Sequence, residues 1–228
     1  MTYSIEAYRH AHLESCAELV RKTWNIHRDF RDMKCQDSVY IAYVRNCIDF
    51  SEFSEVVVDD LGHVQGILFG SREKRTSAER FRLLQRRLGT SFWIGFRYLC
   101  GDFGRRRKAL AEFRKQRQID ALGESDSDLF DGEVNLLIVG RELRGQKYGF
   151  TLMNRYLDFC KSHRMKRIFL WTDPDCTYSF YERYGFSLFK SIDTKALIGP
   201  NAGIDRIMVY TLQVPETAGA GAIAAESL

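Results

Sequence analysis

Residues 133–159 read EVNLLIVGRELRGQKYGFTLMNRYLDF, and the reading of this stretch decides the fold. Glu133 to Val139 is an apolar run of strand length. A short loop leads into Arg144-Gly145-Gln146-Lys147-Tyr148-Gly149, at the start of a helix expected over Gly145–His163. Phe150, Leu152, Met153, Tyr156, Leu157 and Cys160 form that helix's apolar side. A second strand follows at Arg167–Trp171, so the unit should be parallel and right-handed. Small residues and open backbone at a helix start make an anion cradle, because unpaired N–H groups point outward and the helix dipole favours negative charge. Arg144 and Lys147 add formal positive charge, and a pyrophosphate suits such a site. The stretch has no G-K-[ST] ending and no G-x-G-x-x-G spacing, which excludes a Walker loop and a Rossmann fingerprint. The plain alternative is a basic helix start that touches only water.

Working outward, Tyr3–Tyr8 alternates and reads as a short strand. Leu13–Trp24 and Val39–Ile48 have helical spacing. Ser54–Gly70 reads as a hairpin whose turn is supplied by Asp59, Asp60 and Gly62. Residues 71–131 differ in character. They carry many arginines, and we expect two basic helices joined by the aromatic turn SFWIGFRYLCGDFG, inserted between strands. After Trp171 come a short helix at Cys176–Tyr184, capped by Gly185, and strands at Phe186–Ile192 and Arg206–Leu212. Residues 214–228 are rich in Ala and Gly and read as a disordered tail. The pattern is an α/β (α+β) mixed sheet with helices on its faces.

Composition narrows the chemistry. The chain has 228 residues, is 45% hydrophobic and 13% aromatic, and carries a formal charge of +4, which fits a protein with a real core. Its six cysteines and five histidines show no metal spacing. Scattered thiols are expected to be reduced, in a cytoplasmic protein. The first residues lack the apolar run of a secretory signal, and no stretch approaches the roughly 20 apolar residues that cross a bilayer. No metal and no membrane partner are therefore expected, nucleic acid is disfavoured, and the chain should be a monomer or homodimer.

Two segments together resemble the signature motifs of the GNAT superfamily of acyl-CoA N-acyltransferases. One is Arg144–Gly149 after an apolar strand, of the form [RQ]-x-x-G-x-[GA]. The other is Phe180, Tyr181, Gly185 and Phe186, of the form F-Y-x-x-x-G-F. The resemblance is motif-grade over residues 133–192 and looser at the hairpin and the first helices. Lys147 stands where the first motif usually has glycine.

The resemblance implies one domain over residues 1–213, with a helical insertion at about 71–131. It implies a mostly antiparallel twisted sheet with a central, splayed parallel strand pair. The implied activity is transfer of an acetyl group from acetyl-CoA to a primary amine of a small molecule or protein. The alternative is a catalytically weak module that binds acyl-CoA or polyanions.

By the same resemblance, Leu137, Ile138 and Val139 would meet pantetheine through main-chain groups, and Arg144, Gly145, Gln146, Lys147, Tyr148 and Gly149 would hold the pyrophosphate. Tyr181 would protonate the leaving thiolate, or else merely pack against the coenzyme. Glu133 would be the base, or else a solvated strand-end carboxylate. Asn135 shares its face and, with Trp93 and Phe96 of the insertion, would contact the acceptor. The insertion also admits two other readings, a solvated basic face and a nucleic-acid contact. A thiol at a helix start, as at Cys176, could have a lowered pKa, but packing is its preferred role.

Overall fold

The computed structural model describes residues 2–30, 32–199 and 203–215. Most of the expected tail, residues 216–228, lies outside the described residues. The chain divides into two compact units. One comprises residues 1–71, 75–112 and 135–153, and the other residues 72–74, 113–134 and 154–228.

The first unit is built on β1 (Tyr3–Ala7), β2 (Phe53–Asp59), β3 (Val64–Arg72) and the later part of β4 (Gly132–Val139). β1 and β2 are antiparallel, with Tyr3 opposite Asp59, and β2 and β3 form the expected hairpin, with Phe53 opposite Gly70. Asp59 sets the turn: its Oδ1 accepts the N–H groups of Leu61 at 3.0 Å and His63 at 2.8 Å, and Gly62 takes φ +80°, a value that favours glycine. Helices α1 (Leu13–Thr23) and α2 (Asp37–Asp49) supply the rest of the core. Cys16, Leu19, Val20, Tyr40 and Val44 pack with Val56, Ile67, Phe69, Leu136 and Ile138. Each such apolar side chain taken fully from water contributes about 1.5–3 kcal/mol.

Two basic helices follow, as expected: α3 (Ser77–Cys100) and α4 (Arg106–Gly123). The aromatic segment is not the turn between them. Residues 91–100 continue α3, and the chain turns only at Gly101, in the left-handed conformation at φ +85°. Gly89 and Gly95 lie within the helix, where a single glycine costs only about 1 kcal/mol. Thr76 and Glu79 form a reciprocal capping box at the start of α3. Buried Asp102 ties its end to α2, accepting from Ser38 Oγ at 2.8 Å and Arg97 Nη1 at 3.1 Å.

The second unit carries β5 (Arg167–Thr172), β6 (Ser187–Asp193) and β7 (Arg206–Gln213). β7 lies antiparallel between the other two. β4 begins here, with Gly132 parallel to Ile168 and Glu133 to Phe169. Because β4 belongs to both units, the strand order reads β1-β2-β3-β4-β5-β7-β6, seven strands with one parallel pair. The unit's core gathers Ile119, Phe130, Phe169, Ile192, Ile207 and Val209, with Phe130 stacked on Phe169 at 4.8 Å. Asp131 fixes the start of β4 by accepting the N–H groups of Lys166 and Arg167 and pairing with Lys74 at 2.8 Å. Partial burial opposes ionisation of this carboxyl, but these partners hold it below the usual carboxylate range. Helix α5 (Tyr148–Ser162) spans the two units, and α6 (Ser179–Tyr184) and α7 (Thr194–Ile198) belong to the second.

Candidate active site

In the first unit β4 delivers the chain to the cradle. Its side chains alternate as a strand requires. Leu136 and Ile138 are buried in the core, while Asn135, Leu137 and Val139 are half-buried on the other face. The Ile138 side chain is thus committed to packing, which leaves only its main chain for the contact expected of it. Asn135 is held by two serines: its Nδ2 donates to Ser51 Oγ at 2.7 Å, and its Oδ1 accepts from Ser71 Oγ at 3.3 Å.

Beyond Val139, Gly140 N–H donates to Gln65 O at 2.7 Å, and a Cβ on Gly140 would stand 2.7 Å from that same oxygen. Leu143, almost wholly buried, anchors the next turn. The turn then closes on itself. Arg144 N–H donates to Arg141 O and Gln146 N–H to Leu143 O, while Gln146 Nε2 donates to Glu142 O at 2.6 Å. Lys147 O accepts the first helical bond of α5, from Thr151 N–H at 3.0 Å. Among the described residues, no backbone acceptor meets the N–H groups of Gly145, Lys147, Tyr148 or Gly149. Gly145 at φ +77° and Lys147 at φ +61° take left-handed conformations around Gln146. Successive amides in such a turn form a concave anion site.

Lys147 therefore keeps the backbone shape that a glycine gives cheaply, at a cost of about 1–2 kcal/mol for its Cβ. Its side chain is exposed, as are those of Arg141 and Arg144, so the substitution adds charge without filling the cradle. Tyr148 is braced by an edge contact with Tyr3, ring centroids 5.9 Å apart. The open amides, positive charge and lack of crowding fit a diphosphate.

Trp93 and Phe96 lie in α3 of the same unit. Trp93 sits between the guanidinium groups of Arg45 at 5.2 Å and Arg97 at 5.3 Å, and Phe96 is exposed. Trp93 is thus occupied by structural contacts of its own.

The second unit holds Glu133 and Tyr181. Glu133 is buried, not a solvated strand end, and its carbonyl accepts from Tyr156 Oη at 2.9 Å. Tyr181 is half-buried on α6, with its ring edge-on to Phe180 at 5.5 Å and Phe186 at 5.8 Å. Gly185, at φ +111°, caps the helix and lets Phe186 N–H return to Tyr181 O at 2.9 Å. The spacing of the second motif therefore sets the ring's position. Burial pushes the Tyr181 phenol well above its usual value, with Cys176 adding to the rise.

Three other tyrosine hydroxyls of this unit are committed. Tyr156 donates to Glu133 O, Tyr184 to Asn154 Oδ1 at 2.6 Å, and Tyr210 to Glu182 Oε1 at 2.9 Å. Among the described residues none meets the Tyr181 hydroxyl within hydrogen-bond distance. The Cys176 thiol is raised, chiefly by burial, so the helix start does not make it a thiolate. The turn before α6 is set by Asp173 Oδ1, which accepts from Asp175 and Cys176 N–H. Sequence reasoning missed the structural weight of Gly140 and Leu143. A glycine directly after an apolar strand was the available signal for the first.

Residues 109–186 match the Acetyltransferase (GNAT) family. Among solved structures, SsHAT aligns at 15% identity and a TM-score of 0.63, covering 95% of this chain and 100% of that one. Ard1 from Thermoplasma volcanium aligns at 15% identity and a TM-score of 0.53, with the same coverage. The aminoglycoside 6'-acetyltransferase type Ii aligns at 13% identity and 0.54, covering 93% and 97%. No curated protein sequence matches the chain significantly. The family match thus covers residues 109–186, and the solved acetyltransferases share the fold of nearly the whole chain. The family uses acetyl-CoA as co-substrate. Among the described residues no group of three or more metal-ligating side chains is assembled.

Proposed function

We propose that this chain is an N-acetyltransferase that moves an acetyl group from acetyl-CoA to a primary amine by direct attack. The observation that carries the reading is the run of open amides at Gly145, Lys147, Tyr148 and Gly149 in a turn shaped by two left-handed residues. In this reading the diphosphate of the coenzyme takes up those amides, with Arg144 and Lys147 supplying charge. The pantetheine arm runs along the main chain of Leu137, Ile138 and Val139.

The neutral amine attacks the thioester carbonyl carbon. The C–N bond forms, the C–S bond breaks, and the electron pair leaves on sulfur. Tyr181 gives its phenolic proton to that sulfur. A phenol held above its ordinary value stays protonated through neutral and mildly alkaline solution, so the donor is always loaded there. Once the C–N bond has formed, buried Glu133, directly or through water, takes the proton that the nitrogen sheds, and proton exchange with solvent then restores Glu133 and Tyr181. Asn135 stands as the acceptor-side contact in this reading, with Trp93 held between Arg45 and Arg97 and Phe96 exposed on α3.

The test pairs calorimetry with an amine-library acetylation screen read by mass. Coenzyme A should bind the parent chain and Tyr181→Phe alike, while kcat in Tyr181→Phe falls about 100-fold or more, as for a lost general acid. The rate should rise with pH as the amine deprotonates, without an alkaline loss from Tyr181 before about pH 10. Coenzyme binding with no transfer to any amine would favour the binding-module reading. No heat with any acyl-CoA would end both.

A further inference from the structure

Helix α3 is amphipathic in the reverse sense from a helix that helps form a core. Phe81, Leu84, Leu88, Phe92, Phe96 and Leu99 recur at steps of three and four, so they share one stripe along its 24 residues. All six are exposed, from 51% at Leu84 to 79% at Phe92. Thr90, half a turn away, is the helix's buried residue. The face turned to the protein is mixed: Leu83, Trp93 and Ile94 are half-buried around Thr90, whose Oγ1 accepts from Arg45 Nε at 3.1 Å, and Trp93 lies between Arg45 and Arg97. A stripe about 27 Å long is thus presented outward.

What covers it is constrained by charge. Arg80 and Arg87 border the stripe on one side and Arg82 on the other, all exposed. Exposed Arg107 and Lys108 follow at the start of α4. A second copy laid on the stripe would bring arginine rows against arginine rows. The required partner is apolar in its middle and anionic at its edges. An anionic lipid surface has that composition, with acyl chains beneath phosphate headgroups. Phe and Leu facing one way with Arg along the flanks is the make-up of a helix that lies in the interface. The arginine stems can extend to headgroup level while their heads stay in water. No described helix is long and apolar enough to cross a membrane, which fits lying on a bilayer and not spanning it.

We propose that α3 docks this protein on an anionic bilayer surface, with Phe81, Leu84, Leu88, Phe92, Phe96 and Leu99 inserted at the level where headgroups meet acyl chains. This replaces the expectation of no membrane contact, which rested only on the lack of a spanning segment. It is independent of the acetyl-transfer reading.

The test is cosedimentation of the full chain with phosphatidylcholine vesicles, with and without about one-third phosphatidylglycerol. The expected result is binding to the anionic vesicles alone, weakened by raising salt from about 0.1 M to about 1 M. Leu84→Ser/Leu88→Ser should weaken partition about tenfold or more. Arg80→Gln/Arg82→Gln should weaken it roughly fivefold per charge. Both pairs are exposed, so circular dichroism should be unchanged. If either variant failed to fold, the lipid and salt comparison on the unaltered chain would still decide.

Three results overturn the proposal. One is no sedimentation with anionic vesicles. Another is equal binding by parent and leucine variant. The third is a dimer in sedimentation velocity that the leucine variant abolishes, which makes a second copy the occupant.

Discussion

Helices α1 and α3 belong to the same unit and have the same kind of sequence pattern, yet they are used in opposite ways. In α1 the apolar positions Leu13, Cys16, Ala17, Leu19 and Val20 are buried, and Glu14, Glu18, Arg21 and Lys22 face water. In α3 six apolar positions from Phe81 to Leu99 face water, and Thr90 is buried against α2 through Arg45 with Leu83, Trp93 and Ile94 half-buried beside it. Hydrophobic periodicity says that one face seeks to leave water. It does not say what takes the water's place. For α1 the sheet does; α3 is held to its unit by a mixed face of Leu83, Thr90, Trp93 and Ile94 and keeps the stripe from Phe81 to Leu99 free.

That contrast gives an ordered set of expectations, all measured as urea unfolding midpoints and slopes. Leu19→Ala should cost about 3 kcal/mol, the usual loss for a buried leucine that leaves a cavity. A loss below 1 kcal/mol there would mean that α1 is not seated as described. Thr90→Val should cost about 2 kcal/mol, because Arg45 and Asp49 both lose a partner on the buried side of α3.

Asp49 gives a smaller, pH-dependent effect. Burial pushes its carboxyl up, against the pull of the Thr90 hydroxyl and of Arg45, Arg86 and Arg87. A group with a raised folded pKa contributes its stabilisation below the unfolded value and loses it as pH rises through the folded value. The parent should therefore gain on Asp49→Asn as pH is lowered from 7 towards 4. A constant difference across that range would show that Asp49 is not buried as described. Leu84→Ala, on the exposed stripe, should change stability by less than about 0.5 kcal/mol. A large loss would mean that something in the folded chain covers the stripe.

Much of the fold was legible in the sequence, because most elements announce themselves locally. The hairpin was marked by Asp59, Asp60 and Gly62, and the strand–cradle–helix passage by an apolar run ending in small and basic residues. α6 was marked by Gly185 at its cap. The course of residues 91–100 was not legible, because Phe92, Trp93, Phe96 and Tyr98 have weak helix propensity and two glycines lie nearby. Continuation from a well-capped helix start decided the matter. The burial of Glu133 was also hidden. It depends on pairing with β5, which is remote in sequence.

In the candidate site, the cradle's basic residues could be read directly. Its backbone shape could not, since a lysine at 147 gives no sign of a left-handed turn. Nor did the sequence show that Tyr181, unlike its neighbour Tyr184, keeps its hydroxyl uncommitted. That distinction rests on Asn154, which is remote in sequence.

The joint at Gly140 has a consequence for how this chain can vary. The bond that fastens Gly140 to Gln65 uses main-chain atoms, so this joint does not depend on the side chain at 65, whose amide serves Asp59 instead, while residue 140 has no room for a Cβ. Any methyl group introduced at 140 would wedge the two backbones apart just upstream of the amides that face the anion. An alanine there would act as a lever, misaiming the cradle while leaving each of its own residues in place.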